Sequence, residues 1–354
     1  KFFFFLIFSA RCSRGGASKK NPIYTTSPTR IHPVPNRNFK PREYSVSKKD
    51  YFMKWVKQTV HYWCKDTTDN GYLGDGICAA ILDTGIAAHP DLKDRIADFR
   101  DFTGNSLKCR DDSGHGTHVA GILGGNGNAS DGMYAGMAPR AKLVVGKVLD
   151  REGNGNVDNV INGILWLKEV KGSHNIRIVN ISVGTQPDLA QQQKNRLQSA
   201  VEDLWDMGLV VVVSAGNYGP QAGTVVVPGN SRKVITVGVP DSPCGFRRPR
   251  REKINYSGRG PTEECIIKPD VFAPGTGILS CNSSFSFPGG PAYIMKSGTS
   301  MAAPVVSGAI ACLLSKYPDM TNVEVKLRLR QSCIKIPGTE SGWGLLDVQK
   351  LMEV

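Results

Sequence analysis

The sequence predicts an α/β fold in three layers, a mostly parallel sheet with helices on both faces. Three observations carry that expectation. Apolar runs that fit buried strands recur at 77–82, 143–149, 176–183, 209–213 and 234–239. Helical stretches at 119–124, 157–170 and 189–207 separate several of them. Strands that alternate with helices pair in parallel, because each crossover returns the chain to the same end of the sheet. Finally, Leu209-Val210-Val211-Val212-Val213 is aliphatic at every position, as a central strand covered on both faces requires. Residues 51–354 are read as one domain, long enough for a large core and without internal repeats.

Taken in order, the chain opens with an N-terminal extension, residues 1–50, that is basic and rich in Pro and Ser. The formal net charge of the whole chain is +13. Residues 1–57 hold 13 Lys or Arg against Glu43 and Asp50, a net +11, which leaves +2 for the other 297 residues. A near-neutral domain argues against nucleic-acid binding, so no nucleic acid is expected as a partner and the basic stretch reads as a mobile tail. A second basic run, Arg247-Arg248-Pro249-Arg250-Arg251, reads as an exposed loop.

Residues 1–12 pair one Lys with a seven-residue apolar stretch and small residues, which looks like a short signal peptide and favours secretion. The stretch is too short to cross a bilayer, so no membrane span is expected. Nine cysteines point the other way. Their number is odd and no Cys-x-x-Cys spacing occurs, which fits free thiols in a reducing compartment. Cys78 and Cys312 fall inside runs read as core. The balance favours a cytoplasmic location, with secretion as the alternative.

Three segments carry the chemistry. The first apolar run ends in Ala79-Ala80-Ile81-Leu82-Asp83-Thr84-Gly85, a strand closing on a carboxylate. Asp112-Ser113-Gly114-His115-Gly116-Thr117-His118-Val119-Ala120-Gly121 reads as a glycine-rich turn running into a helix. Lys296-Ser297-Gly298-Thr299-Ser300-Met301-Ala302-Ala303-Pro304 places a serine in a small-residue turn just before the apolar run 305–314. A hydroxyl at such a helix N-terminus sits where unpaired N–H groups favour developing negative charge. A serine hydroxyl is a weak nucleophile and needs a base within reach. His118 is read as that base, and His115, three residues earlier, as a structural histidine. Asp83 would fix the imidazole tautomer. The strand 209–213 runs on through Ser214-Ala215-Gly216-Asn217, so Asn217 would present its amide at a strand end, where open α/β sheets bind ligands.

With the order Asp83, His118, Ser300 in place, the chain resembles the subtilisin-like serine proteases (subtilases) from about residue 76 to about residue 351. Asp111-Asp112-Ser113-Gly114-His115-Gly116-Thr117-His118 and Tyr134-Ala135-Gly136-Met137-Ala138-Pro139-Arg140-Ala141 look most like the bacterial intracellular AprX-like subgroup. Gly342-Trp343-Gly344-Leu345-Leu346-Asp347 is similar to the closing segment of the family, after a helix expected over 320–330.

The resemblance implies a subtilisin-like fold and a serine endopeptidase working through an Asp-His-Ser triad and an acyl-enzyme. Its substrates would be proteins or peptides. It implies an oxyanion hole made by the Asn217 amide and the Ser300 N–H. It places an extended peptide against Ser182-Val183-Gly184, with the P1 pocket between that edge and Ser214-Ala215-Gly216. Gly155-Asn156-Val157 would help line the P4 site. Broad specificity with a large apolar P1 residue is expected. No cofactor is required for the chemistry, but the resemblance implies a structural calcium on Asp91, with oxygen ligands from Asn126, Asn128 and Asp131 in the loop 124–131. Too few residues precede Asp83 for a full inhibitory prodomain of the secreted kind, so a shorter segment of the extension, such as Asn21-Pro22-Ile23-Tyr24, is expected to serve as a cleft inhibitor.

Rival readings are weaker. A non-catalytic scaffold needs a broken triad or a blocked cleft, and no catalytic position is substituted. A lipase-type hydrolase requires Gly-x-Ser-x-Gly, which is absent around Ser300.

Overall fold

The computed structural model describes residues 52–104, 106–185, 189–241, 255–286, 289–336 and 341–353. Expectations attached to residues 1–50, to the basic run 247–251, and to Cys12 and Cys244 lie outside the described residues.

Seven strands form one parallel sheet in the order β2-β3-β1-β4-β5-β6-β7. They are β1 (Cys78–Asp83), β2 (Ile96–Asp101), β3 (Lys142–Lys147), β4 (Ile176–Ile181), β5 (Val210–Ser214), β6 (Ile235–Gly238) and β7 (Val271–Phe272). The five apolar runs became β1, β3, β4, β5 and β6. Every residue of β1 and β5 is buried, which is why those sequences carry no polar alternation. The edge strand β2 escapes the same reading, because Ile96-Ala97-Asp98-Phe99-Arg100-Asp101 is only half covered and tolerates charge. A separate antiparallel hairpin joins β8 (Ile278–Cys281) to β9 (Tyr293–Lys296).

Two short helices, α1 (Phe52–Thr59) and α2 (Lys65–Thr68), precede the sheet. Then come α3 (His115–Gly124), α4 (Val157–Val170), α5 (Gln191–Asp206), α6 (Thr299–Lys316), α7 (Asn322–Ser332) and α8 (Val348–Met352). α3 and α6 pack on each other over one face of the sheet, and α4 and α5 over the other. This is the expected three-layer arrangement.

α6 is long and apolar enough to cross a membrane, but every residue from 299 to 314 is buried among the core residues. Burying Val305, Val306, Ile310, Leu313 and Leu314 stabilises the fold by on the order of 10 kcal/mol as an upper bound. A helix held so firmly fixes what stands at its first turn, and Ser300 stands there.

α3 departs from expectation in a way that matters. It begins at His115, not at residue 119, with Gly114 as its N-cap at φ 75°. Gly116 and the glycines around it gave the segment the look of a turn. Both histidines therefore lie on one helix, one turn apart.

Candidate active site

The carboxyl end of β1 delivers Asp83, which is fully buried. Its Oδ1 accepts from His115 Nδ1 at 2.7 Å and from the Thr84 N–H at 2.7 Å. The contact depends on Gly116, where an added Cβ would lie 2.2 Å from the Gly85 carbonyl oxygen and 3.2 Å from Asp83 Cβ. No larger residue lets the first turn of α3 close on the strand end. Because a carboxylate only accepts, His115 Nδ1 carries the hydrogen, and the lone pair of the neutral ring belongs to Nε2.

His118 is elsewhere, and the expectation that it meets Asp83 and Ser300 is corrected. It is fully buried, and its Nε2 lies 3.0 Å from both the Ile278 and the Ile294 carbonyl oxygens. Two acceptors on one nitrogen require Nε2–H, so the imidazole is a donor tying α3 to β8 and β9. Burial lowers its pKa to about 3, with Lys296 and His115 adding to the shift and the two carbonyls opposing it. The physical reason for the exchange of roles is the helix start. Only the first turn of α3 reaches the carboxyl end of β1, and the next turn points into the hairpin.

A network that the sequence did not reveal locks this corner. Asp111 Oδ1 accepts from Thr84 Oγ1 at 2.7 Å, and its Oδ2 from the Thr117 N–H and hydroxyl at 2.8 and 2.6 Å. Thr84 Oγ1 in turn accepts from the Gly116 N–H at 2.9 Å. Lys147, fully buried at the end of β3, donates to the carbonyl oxygens of Thr84 and Leu149, both at 2.7 Å. Short hydrogen-bonding side chains on Asp-Thr and Gly-Thr pairs were the available signal, and turn chemistry masked it.

Ser300 stands in the first turn of α6, and its hydroxyl donates to the Ser182 carbonyl oxygen at 2.8 Å. Asn217 lies alongside, its Oδ1 accepting from the Thr299 N–H at 3.0 Å and the Thr299 hydroxyl at 3.1 Å. That orientation leaves Asn217 Nδ2 without a protein acceptor among the described residues. Lys296, the last residue of β9, is also close. Its ammonium is 4.0 Å from the position of a Cβ on Gly114, next to His115. Burial lowers its pKa, and the carboxylates of Asp111 and Asp83 oppose that shift.

The expected substrate edges lie beside Ser300. Ser182 and Val183 are buried with Gly184 partly exposed, and Ser214 and Ala215 are buried with Gly216 partly exposed. Val157 does not offer surface to a peptide: it is fully buried as the first residue of α4, a position an apolar side chain takes to anchor a helix on the core. Asn156, the α4 N-cap, is the exposed member of that trio.

The calcium expectation does not fit the donor set. Asp91 Oδ1 accepts from the Ala129 N–H at 2.8 Å and Oδ2 from the Tyr293 hydroxyl at 2.8 Å. Its other near neighbours are the His89 ring and the Cys281 thiol, nitrogen and sulfur groups that a hard cation does not choose. Asn126 Oδ1 accepts from the Asn128 N–H at 3.0 Å, within the turn. Protein donors do here what a cation would do.

A profile of the subtilase family matches residues 74–344. The chain is 39% identical to serine protease AprX of Bacillus subtilis (strain 168) over 285 residues, covering 77% of this chain and 64% of that protein. It is 32% identical to subtilisin Savinase of Lederbergia lenta over 282 residues, covering 79% and 92%. Among solved structures it is similar to Sphericase, with a TM-score of 0.66 at 30% identity over 78% of this chain and 92% of that one. The chain thus spans less than two thirds of the length of AprX.

Proposed function

The chain belongs to the subtilase family, and on that footing we propose that it is a serine endopeptidase with Ser300 as nucleophile, His115 as general base and Asp83 as the carboxylate that orients it. The observation that carries the assignment is the 2.7 Å contact between His115 Nδ1 and buried Asp83 Oδ1. It turns the lone pair of Nε2 away from the strand end.

A substrate enters as an extended strand, with backbone pairing that tolerates many sequences. Its P1 N–H takes the Ser182 carbonyl oxygen, which releases the Ser300 hydroxyl toward His115. His115 removes the proton as the oxygen attacks the scissile carbonyl, and Asp83 stabilises the imidazolium that results. Charge builds on the carbonyl oxygen, where the Ser300 N–H at the α6 N-terminus and Asn217 Nδ2 donate to it. His115 then protonates the leaving amine as the C–N bond breaks, leaving an acyl group on Ser300, and water activated by the same base hydrolyses that ester to release the acid and restore the serine. His118 has no part in proton transfer, because its Nε2 hydrogen is held between two carbonyls. The seven described cysteines are free thiols, which supports placing the enzyme in a reducing compartment.

The test is labelling with a fluorophosphonate, followed by casein cleavage. The wild type and His118→Asn are expected to label, and Ser300→Ala and His115→Ala are not. Labelling that survives in His115→Ala and vanishes in a folded His118→Asn overturns the assignment.

A further inference from the structure

The two glycines that end the substrate edges have the same neighbour. A Cβ added to Gly184 would lie 2.3 Å from Val226 Cγ2, and a Cβ added to Gly216 would lie 2.7 and 2.8 Å from Val226 Cγ2 and Cγ1. One isopropyl group therefore touches both walls of the slot beside Ser300. We infer that Val226 is the specificity-determining residue of the P1 site, closing it so that the enzyme cleaves after small residues such as Gly, Ala and Ser and rejects aromatic ones. The inference rests on the proteolytic reading above and replaces the expectation of a large apolar P1 residue.

Three observations keep the side chain in the slot. Val226 N–H donates to the Ala215 carbonyl oxygen at 3.2 Å, which ties it to one edge. The next residue, Val227, accepts from the Thr185 N–H at 3.0 Å, which ties the segment to the other edge. The Gly229 N–H donates to the Val226 carbonyl oxygen at 2.7 Å, closing the turn beneath. Anchored on both sides, the backbone cannot withdraw, and a β-branched side chain has little rotamer freedom. Val226 is 7% exposed and its methyl groups lie between the two glycines, so on this reading they form the floor that a substrate side chain would meet. A P1 methyl fits above that floor. A P1 ring needs the volume that the isopropyl group fills, and a packed interior does not yield such volume.

The experiment compares kcat/KM for two peptides that differ only at P1, Ala against Phe, with fluorophosphonate labelling run in parallel. The wild type is expected to favour Ala by about 10- to 200-fold, the range that shape exclusion in an apolar pocket gives. Val226→Gly is expected to raise the Phe peptide at least about tenfold relative to Ala, and Val226→Ala, a smaller change to the backbone, to move the ratio the same way. A wild type that labels but prefers Phe overturns the inference and leaves the proteolytic reading standing. So does a Phe/Ala ratio that neither variant changes. A folded wild type that fails to label takes down both.

Discussion

Replacing His118 with Asn separates the two histidines by stability as well as by activity. In a Ser300→Ala background, which prevents self-digestion, the relevant property is acid lability. The unfolded chain protonates this imidazole near 6.5, and the folded one holds out until about 3. Between those values the unfolded state binds the extra proton, so stability is fully present above about pH 6.5 and falls as the pH drops. From pH 6.5 to pH 4.5 the loss amounts to about 2–3 kcal/mol. Asp101 does not confuse this window. Its burial alone would raise its pKa, but hydrogen bonds from Thr103, Gly104 and Ser106 outweigh that and hold it below the ordinary value. Its contribution is therefore lost only as the pH falls below about 4. His118→Asn removes the titrating group and with it the Nε2 donor, because the shorter amide ends near the position of Nδ1. Leaving the Ile278 and Ile294 carbonyls unpaired costs about 1–3 kcal/mol at pH 7. Urea denaturation at pH 7 and pH 4.5 measures both effects. The variant is expected to start lower and to lose about 2–3 kcal/mol less on acidification than its parent. Parallel losses in the two proteins would refute a buried neutral imidazole at position 118.

Two further outcomes follow from the geometry. Asn217→Ala is expected to lower kcat by about 10²–10³, the loss known for the oxyanion-hole asparagine of subtilisin, with little change in KM; steady-state kinetics on a peptide amide checks it, and an effect confined to KM would move Asn217 out of the oxyanion hole. Chelation with EDTA is expected to leave the melting temperature unchanged, because Asp91 is already satisfied by Tyr293 and Ala129; a fall that calcium restores would return a cation to that site.

The parts of the fold legible in the sequence are those where burial dictates composition. β1, β3, β4, β5 and β6 are covered on both faces, and a strand with no wet side carries a continuous apolar run. β2, with a half-covered pattern, and the hairpin β8-β9, with exposed Ile294 and Met295, mix polar and apolar residues and gave no clear period. As candidates for the site, Asp83, Asn217 and Ser300 were legible because each stands at the end of a recognisable element. The histidine was not, because two of them lie three residues apart in a segment whose glycines hide the helix start. Periodicity cannot rank His115 above His118. What ranks them is the distance from the end of β1, a property of tertiary packing. Val226 was equally hidden, since an apolar residue after a Gly/Pro-rich turn carries no mark that its methyl groups lie between Gly184 and Gly216.

The corner around Asp83 explains why such a site can afford to stand on turns. A catalytic carboxylate at a strand end must be held without binding partners that would neutralise it. Here the restraint is applied one residue away. The Thr84 hydroxyl is fixed by Asp111, and the Thr84 carbonyl by Lys147. Asp83 itself receives only the His115 Nδ1–H and one backbone N–H, and its Oδ2 is buried without a partner among the described residues. An under-solvated carboxylate oxygen is costly in the resting protein, because burial withholds water from it. That cost falls when a positive charge appears on the adjacent imidazole, which happens only as the Ser300 proton is transferred. On the proposed serine endopeptidase reading, the preorganised carboxylate is therefore better matched to the imidazolium of the transition state than to the neutral ring of the ground state, and that difference would accelerate the reaction.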